Sequence, residues 1–177
     1  MTDQPLSKGP VSVDPRGEFP FDLPEYLFHV LYFALRHHDA VLETLLHPLG
    51  LTLSRHRALA VISAFQPCTM GELASYAVTD RTTMTRMVDA LVEQQLVERT
   101  RRPENRQEIV VSVTPAGREK LDQAYAVIFP QNRRDLDGIS EADQRTLIRM
   151  AQALAANVAP DPETRERVLT HRRASKV

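Results

Sequence analysis

Two helix starts stand close together in the middle of the chain, and they restrict its fold more than any other feature. Thr69-Met70-Gly71-Glu72 is a capping box: the Thr69 hydroxyl can accept from the Glu72 amide, and the Glu72 carboxylate can reach back to the Thr69 amide. The pattern predicts a short helix carrying Leu73, Ala74 and Ala77 inward, then a tight turn at Val78-Thr79. Thr79 or Asp80 caps a second helix, expected over Asp80–Gln95. Met84, Met87, Val88 and Leu91 fall at i, i+3, i+4 and i+7, which makes one apolar face. The opposite face displays Arg81, Thr82, Thr83, Thr85, Arg86 and Asp89. A short capped helix, a tight turn and a second helix with a polar face form a helix-turn-helix.

Two strand-like runs follow at once. The first is Leu96–Thr100; the second, Glu108–Val113, is rich in β-branched residues. Between them Arg101-Arg102-Pro103-Glu104-Asn105-Arg106-Gln107 holds the turn chemistry, in Pro103 and Asn105. Thr114-Pro115 then starts a helix whose stripe is Leu121, Tyr125 and Ile128, and Pro130 is expected to end or kink it. Ser140-Glu141-Ala142-Asp143 starts a last helix with Leu147, Ile148, Ala151, Leu154 and Val158 as its apolar positions, closed by Pro160 and Pro162.

Upstream, residues 1–20 carry four prolines and no periodicity, and read as a flexible arm. Asp22-Leu23-Pro24-Glu25 looks like a helix start, and Leu27, Val30, Leu31, Ala34, Leu35, Val41, Leu42, Leu45 and Leu46 continue with helical spacing until Pro48 and Gly50 break it. A further helix is expected from Thr52 or Ser54 to Phe65, burying Ala58, Leu59, Ile62 and Phe65. The expected fold is mainly α with a small β-hairpin wing: a winged helix-turn-helix joined to a helical dimerisation region. Its divisions are an arm at 1–20, a dimerisation helix at 21–50, a winged helix-turn-helix at 51–113, dimerisation helices at 114–160 and a polar, partly basic tail at 161–177.

The exposed face of the second helix suits the major groove of DNA, which admits a helix bearing short polar side chains and arginines. Threonine hydroxyls can bond phosphates or base edges, and threonine methyls can touch thymine methyls. The candidate DNA contacts are therefore Arg81, Thr82, Thr83, Thr85 and Arg86, with Arg102 and Arg106 on the hairpin placed for the adjacent minor groove. The plain alternative is a solvated helix face beside an ordinary polar hairpin. The net charge of −1 over 177 residues means that any basic surface is local and offset by acids elsewhere. Only Lys8, Lys120 and Lys176 are lysines among 22 basic residues. Arginine suits bidentate contact with phosphate and guanine, although genomic composition bias explains the ratio equally well.

The runs Leu51-Thr52 to Leu59, Thr69-Met70-Gly71-Glu72-Leu73-Ala74, Asp80-Arg81-Thr82-Thr83-Met84-Thr85-Arg86-Met87-Val88-Asp89-Ala90-Leu91, Leu96-Val97-Glu98-Arg99 and Val113-Thr114-Pro115-Ala116-Gly117 together resemble the signature of the MarR family of bacterial transcriptional regulators, over about residues 22–158. The resemblance implies a homodimer whose base is built from the first and the last two helices. It implies repression at a palindromic operator in double-stranded DNA, and usually release by a small ligand. Two positions depart from the family pattern: Asn105 stands where the wing tip usually has aspartate, and Gln95 where glycine often precedes the first wing strand.

Family members that sense aromatic acids or their coenzyme A thioesters bind them where the dimer base meets the winged domain. The matching walls here hold His29, Tyr32, Phe33, Arg36 and His56, and rings beside an arginine suit an aromatic carboxylate. The competing reading is a packed core with a surface arginine. Of six histidines, His37 and His38 are adjacent and so point to different helix faces, and no metal site or cofactor is expected. Cys68, the only cysteine, precludes an intrachain disulfide and reads as a semi-buried spectator in the loop before the capped helix. No nucleophile motif or phosphate loop marks an enzyme. The competing function is a winged-helix module that binds another protein, which an excess of acids on the recognition face would favour. With no apolar run long enough for a membrane span and no secretory signal, a cytoplasmic location is expected.

Overall fold

The structure, a computed structural model, describes residues 26–76, 79–102 and 105–159, with 161, 162 and 165; the side chains of 75, 76, 106 and 107 lie outside the description. The arm at 1–20, the helix start at Asp22–Glu25, most of the turn around Val78 and most of the tail therefore fall outside it. The elements run α1 (Leu27–Leu46), a 3-10 turn (His47–Leu49), α2 (Leu53–Phe65), β1 (Cys68–Thr69), α3 (Met70–Tyr76), α4 (Arg81–Glu93), β2 (Val97–Arg102), β3 (Asn105–Val113), α5 (Pro115–Asp135) and α6 (Glu141–Val158). The fold is mainly α with a small antiparallel sheet, as the pattern predicts. It divides into two compact units, one ending at Ala40 and one starting at Val41, with the boundary inside α1.

Helix starts are set by local caps. Thr52 caps α2 by accepting from the Arg55 amide at 3.2 Å, and from outside the helix Glu43 accepts from the Leu53 amide at 2.6 Å. The capping box on α3 is formed as expected: Glu72 accepts from the Thr69 amide at 2.7 Å and Thr69 Oγ1 accepts from the Glu72 amide at 3.3 Å. Asp80 caps α4, Thr114 caps α5 and Ser140 caps α6, each through the amide three residues on.

In the second unit the core gathers one face of each element: Leu59 and Ile62 of α2, Leu73 of α3, Met84, Val88 and Leu91 of α4, Val97 and Val111 of the hairpin, and Leu121, Ala124 and Ile128 of α5. Phe65 and Tyr125 are only half-buried at its edge. In the first unit, Leu27, Phe28, Val30, Tyr32, Phe33 and Leu35 of α1 are exposed. Leu147, Ile148, Met150 and Val158 of α6 are exposed as well.

The sheet differs from the expected two-stranded wing. Its strand order is β1-β3-β2, because Cys68 pairs with Val111 and Thr69 with Val110. Cys68 is thus fully buried in a strand rather than semi-buried in a loop. The cause is non-local: β3 has an edge left unpaired by β2, and the residues after Pro67 run beside it. The hairpin strands also reach nearer the tip than expected, with Asn105 opposite Arg102. Beyond Arg101↔Ile109 the register jumps to Arg102↔Asn105, so residues 106–108 form a bulge on β3.

Two helix ends also differ from expectation. Helix α5 continues through Pro130 to Asp135. Ala126 and Pro130 both lie on its exposed side, so water can take the carbonyl bond that proline's missing N–H leaves unmade. Helix α4 ends in a Schellman motif, with Leu96 N–H donating to Leu91 C=O and Gln95 N–H to Val92 C=O, both at 2.9 Å. The motif places Gln95 at φ +59°, the left-handed region. This explains why glycine suits the position, and it predicts that Gln95→Gly raises stability by about 0.5–1 kcal/mol, the left-handed strain outweighing glycine's extra entropy. A urea melt with an unchanged or lower midpoint would contradict that account.

Candidate nucleic-acid interface

The polar face of α4 follows from its apolar one. With Met84, Val88 and Leu91 buried, the helical period leaves Arg81, Thr82, Thr83 and Arg86 exposed and Thr85 half-buried at the edge. Hydrogen bonds from the Thr83 side chain and amide hold the Asp80 carboxyl below its usual range, so the N-cap stays ionised. The Thr85 hydroxyl donates to the Arg81 carbonyl at 2.8 Å, which orients its methyl and leaves its lone pairs as acceptors.

An open groove of about 640 Å³ runs beside this face, lined by Thr69 of β1, Gly71 of α3, Arg81 and Thr85 of α4, and Arg99 and Ile109 of the hairpin. Asp89 on α4 pairs with Arg99 on β2 at 2.5 Å. Both side chains are a third or more exposed, so the pair contributes only about 0–1 kcal/mol to stability. Its effect on charge is larger: the acid on the α4 face is neutralised, and with Asp80 engaged as a cap the uncommitted charges are Arg81 and Arg86. Nothing in the sequence pattern singled out the Asp89–Arg99 pair, because it joins a helix to a strand across the Schellman turn.

The expected wing residues have different fates. Arg102 forms an ion pair with Glu108 across the bulge, and its side chain is only 16% exposed. Arg106 lies in β3, and its side chain falls outside the described residues.

The expected ligand residues belong to both compact units. In the first, His29, Tyr32, Phe33 and Arg36 are all exposed, and the Phe33 ring lies 4.0 Å from that of His37, whose Nδ1 is 2.8 Å from the Phe33 carbonyl. In the second, His56 of α2 is buried edge-on against Tyr125 of α5 at 5.7 Å, and its Nδ1 has no hydrogen-bond partner among the described residues. Burial, and then the neighbouring Arg57 cation, push the His56 pKa below its ordinary value. The unfolded chain therefore binds a proton that the folded one resists, so stability should fall as pH drops below the ordinary histidine value near 6.5. Replacing His56 with Gln is expected to flatten stability between about pH 7 and 5; urea midpoints across that range test this. Among the described residues no cluster of three or more metal-binding side chains occurs, and no helix is long and apolar enough to cross a membrane.

With the capped helix pair, the hairpin and the polar face in place, comparison with known proteins points the same way: residues 51–109 match the MarR family model. Over residues 51–109 the chain is similar to the MarR family. The HTH-type transcriptional repressor IacR of Pseudomonas putida is 24% identical over 87% of this chain and 92% of its own length. A MarR-family regulator from Silicibacter pomeroyi is 26% identical, with a TM-score of 0.70 over 80% of this chain and 95% of that one. CouR from Rhodococcus jostii RHA1, solved bound to p-coumaroyl-CoA, is 22% identical with a TM-score of 0.69 over 79% of this chain and 96% of that one. The transcriptional repressor CouR bound to a 23-mer DNA duplex is 24% identical, again with a TM-score of 0.69, over 75% of this chain and 94% of that one. These MarR-family neighbours share the winged helix-turn-helix architecture.

Proposed function

We propose that this chain is a MarR-family, sequence-specific DNA-binding repressor, acting as a homodimer on a palindromic operator and released by a small ligand. The observation that carries the DNA-binding reading is the α4 face, where Arg81, Thr82, Thr83 and Arg86 stand exposed while both nearby acids are engaged, Asp80 as a cap and Asp89 with Arg99. A major groove rewards that set: threonines for phosphates and thymine methyls, arginines for guanine edges and phosphates. Direct DNA contacts at Arg81, Thr82, Thr83, Thr85 and Arg86 belong to this reading, and so does Arg106 at the wing. A DNA-bound CouR and a repressor relative support the same direction. A protein-binding winged helix would gain from an acidic recognition face, which the engagement of Asp80 and Asp89 does not provide.

Dimerisation is supported by the large apolar side chains left exposed on α1 and on α6. Ligand release is supported by the buried His56 nitrogen, which has no hydrogen-bond partner among the described residues and which an aromatic acid or an aromatic acyl-CoA can satisfy, and by CouR's solved complex with p-coumaroyl-CoA. His29, Tyr32, Phe33 and Arg36, exposed on α1, are further candidates for ligand contact. The experiment is competition binding of the purified protein to its own promoter region and to random duplexes of equal length. Preference for the promoter region, steeply weakened by salt and reversed by an aromatic acid or thioester, is the expected result. Equal affinity for both duplexes would end the repressor reading.

A further inference from the structure

We infer that Arg101, backed by Ile109, is a DNA-contacting arginine of the wing, while Arg102 serves the wing's own structure; this rests on the DNA-binding reading above. Three arginines lie in β2, at 99, 101 and 102, and the structure gives them different tasks. Arg99 is committed to Asp89. Arg102 is committed to Glu108 and largely covered. Arg101 is exposed and has no charged partner among the described residues.

Its direction follows from strand alternation. Val97, Arg99 and Arg101 share one face of β2, because the register against β3 is unbroken through Arg101↔Ile109 and shifts only afterwards. Along that face Val97 enters the core, Arg99 reaches across to α4, and Arg101 stands one step further out. Directly opposite it, Ile109 is 54% exposed, an unusual setting for isoleucine in a strand, and it lines the groove beside α4. A guanidinium with no charged partner among the described residues, paired in register with an exposed aliphatic side chain that itself lines the groove beside the recognition helix, fits the backbone edge of a DNA minor groove. The guanidinium meets phosphate or the groove's negative potential, and the isoleucine packs on deoxyribose. The bulge at 106–108 makes the distinction from Arg102, since it turns Glu108 onto Arg102 and neutralises it.

The test measures binding of the full chain and its Arg101→Gln, Arg101→Lys and Arg102→Gln variants to the promoter duplex over a sodium chloride series. In the homodimer each substituted subunit leaves one phosphate without its cation, which lowers the slope of log K against log salt by about 1.8 and, at about 0.15 M salt, weakens binding roughly thirty-fold. Arg101→Gln is expected to show that weakening, Arg101→Lys to keep most of the slope, and Arg102→Gln to keep the wild-type slope because its charge is already balanced. Thermal melts check that each variant is folded. A wild-type slope for Arg101→Gln, or an equal drop in Arg102→Gln, would overturn the assignment while leaving the DNA-binding reading intact. Wild-type protein that binds neither promoter nor random duplex would remove both, and is thereby distinguishable.

Discussion

Gly117→Ala is expected to be among the most damaging single substitutions in the chain. A Cβ at this position would lie 1.9 Å from the Leu96 carbonyl oxygen and 2.9 Å from both the Leu96 carbonyl carbon and Val113 Cγ1. Two of those three atoms are backbone, so no rotamer change relieves the overlap. The Leu96 backbone is itself held from several sides: its N–H closes the Schellman motif on Leu91, and its carbonyl accepts from the Thr114 amide at 3.1 Å and lies 3.2 Å from the Thr114 hydroxyl. That hydroxyl also accepts from the Gly117 amide at 3.0 Å. A methyl group at 117 must therefore push the start of α5 away from the end of α4, opening the seam where helix, hairpin and helix meet. The loss should be about 3 kcal/mol or more, which for a protein of this size is a fall in Tm of about 6–12 °C. Differential scanning calorimetry at matched protein concentration measures it, and a shift of under about 2 °C would show that the seam is loose.

Arg86→Ala should do the opposite: leave the fold alone and remove discrimination. Arg86 is exposed on α4, and alanine is a better helix former than arginine, so stability should stay within about 0.5 kcal/mol. If Arg86 reads a guanine edge, its loss costs about 1–3 kcal/mol of preference at that base, or roughly five- to 150-fold. Affinity for random DNA should change far less. Binding to the promoter duplex and to single-base variants of it gives the ratio. An unchanged ratio would move sequence reading to Arg81 and the threonines.

The recognition helix was legible because its determinants are local. Asp80 reaches an amide three residues on, and Met84, Val88 and Leu91 repeat at the helical period, so a window of a dozen residues contains the whole cause. The caps at Thr52, Thr69, Thr114 and Ser140 were legible on the same ground. Pro130 does not end α5, and the Ala126 carbonyl that loses its N–H partner there lies on a side of the helix that faces water. Gln95 could be noticed as a departure from a family pattern, but its left-handed backbone became visible only with the Schellman bonds around it.

By itself, then, the sequence determined where helices start, which faces are apolar, and that a polar helix face is followed by an arginine-bearing hairpin, since each depends on residues within a turn or two of one another. Only the tertiary structure decided the rest. Cys68 lies 43 positions before its strand partner Val111, Asp89 meets Arg99 across a turn, Glu108 covers Arg102 over a bulge, and Gly117 must be bare because Leu96 passes against it. Those contacts set which arginines remain free for a partner. They depend on how chain segments close on one another, and no side-chain period along a single segment encodes that.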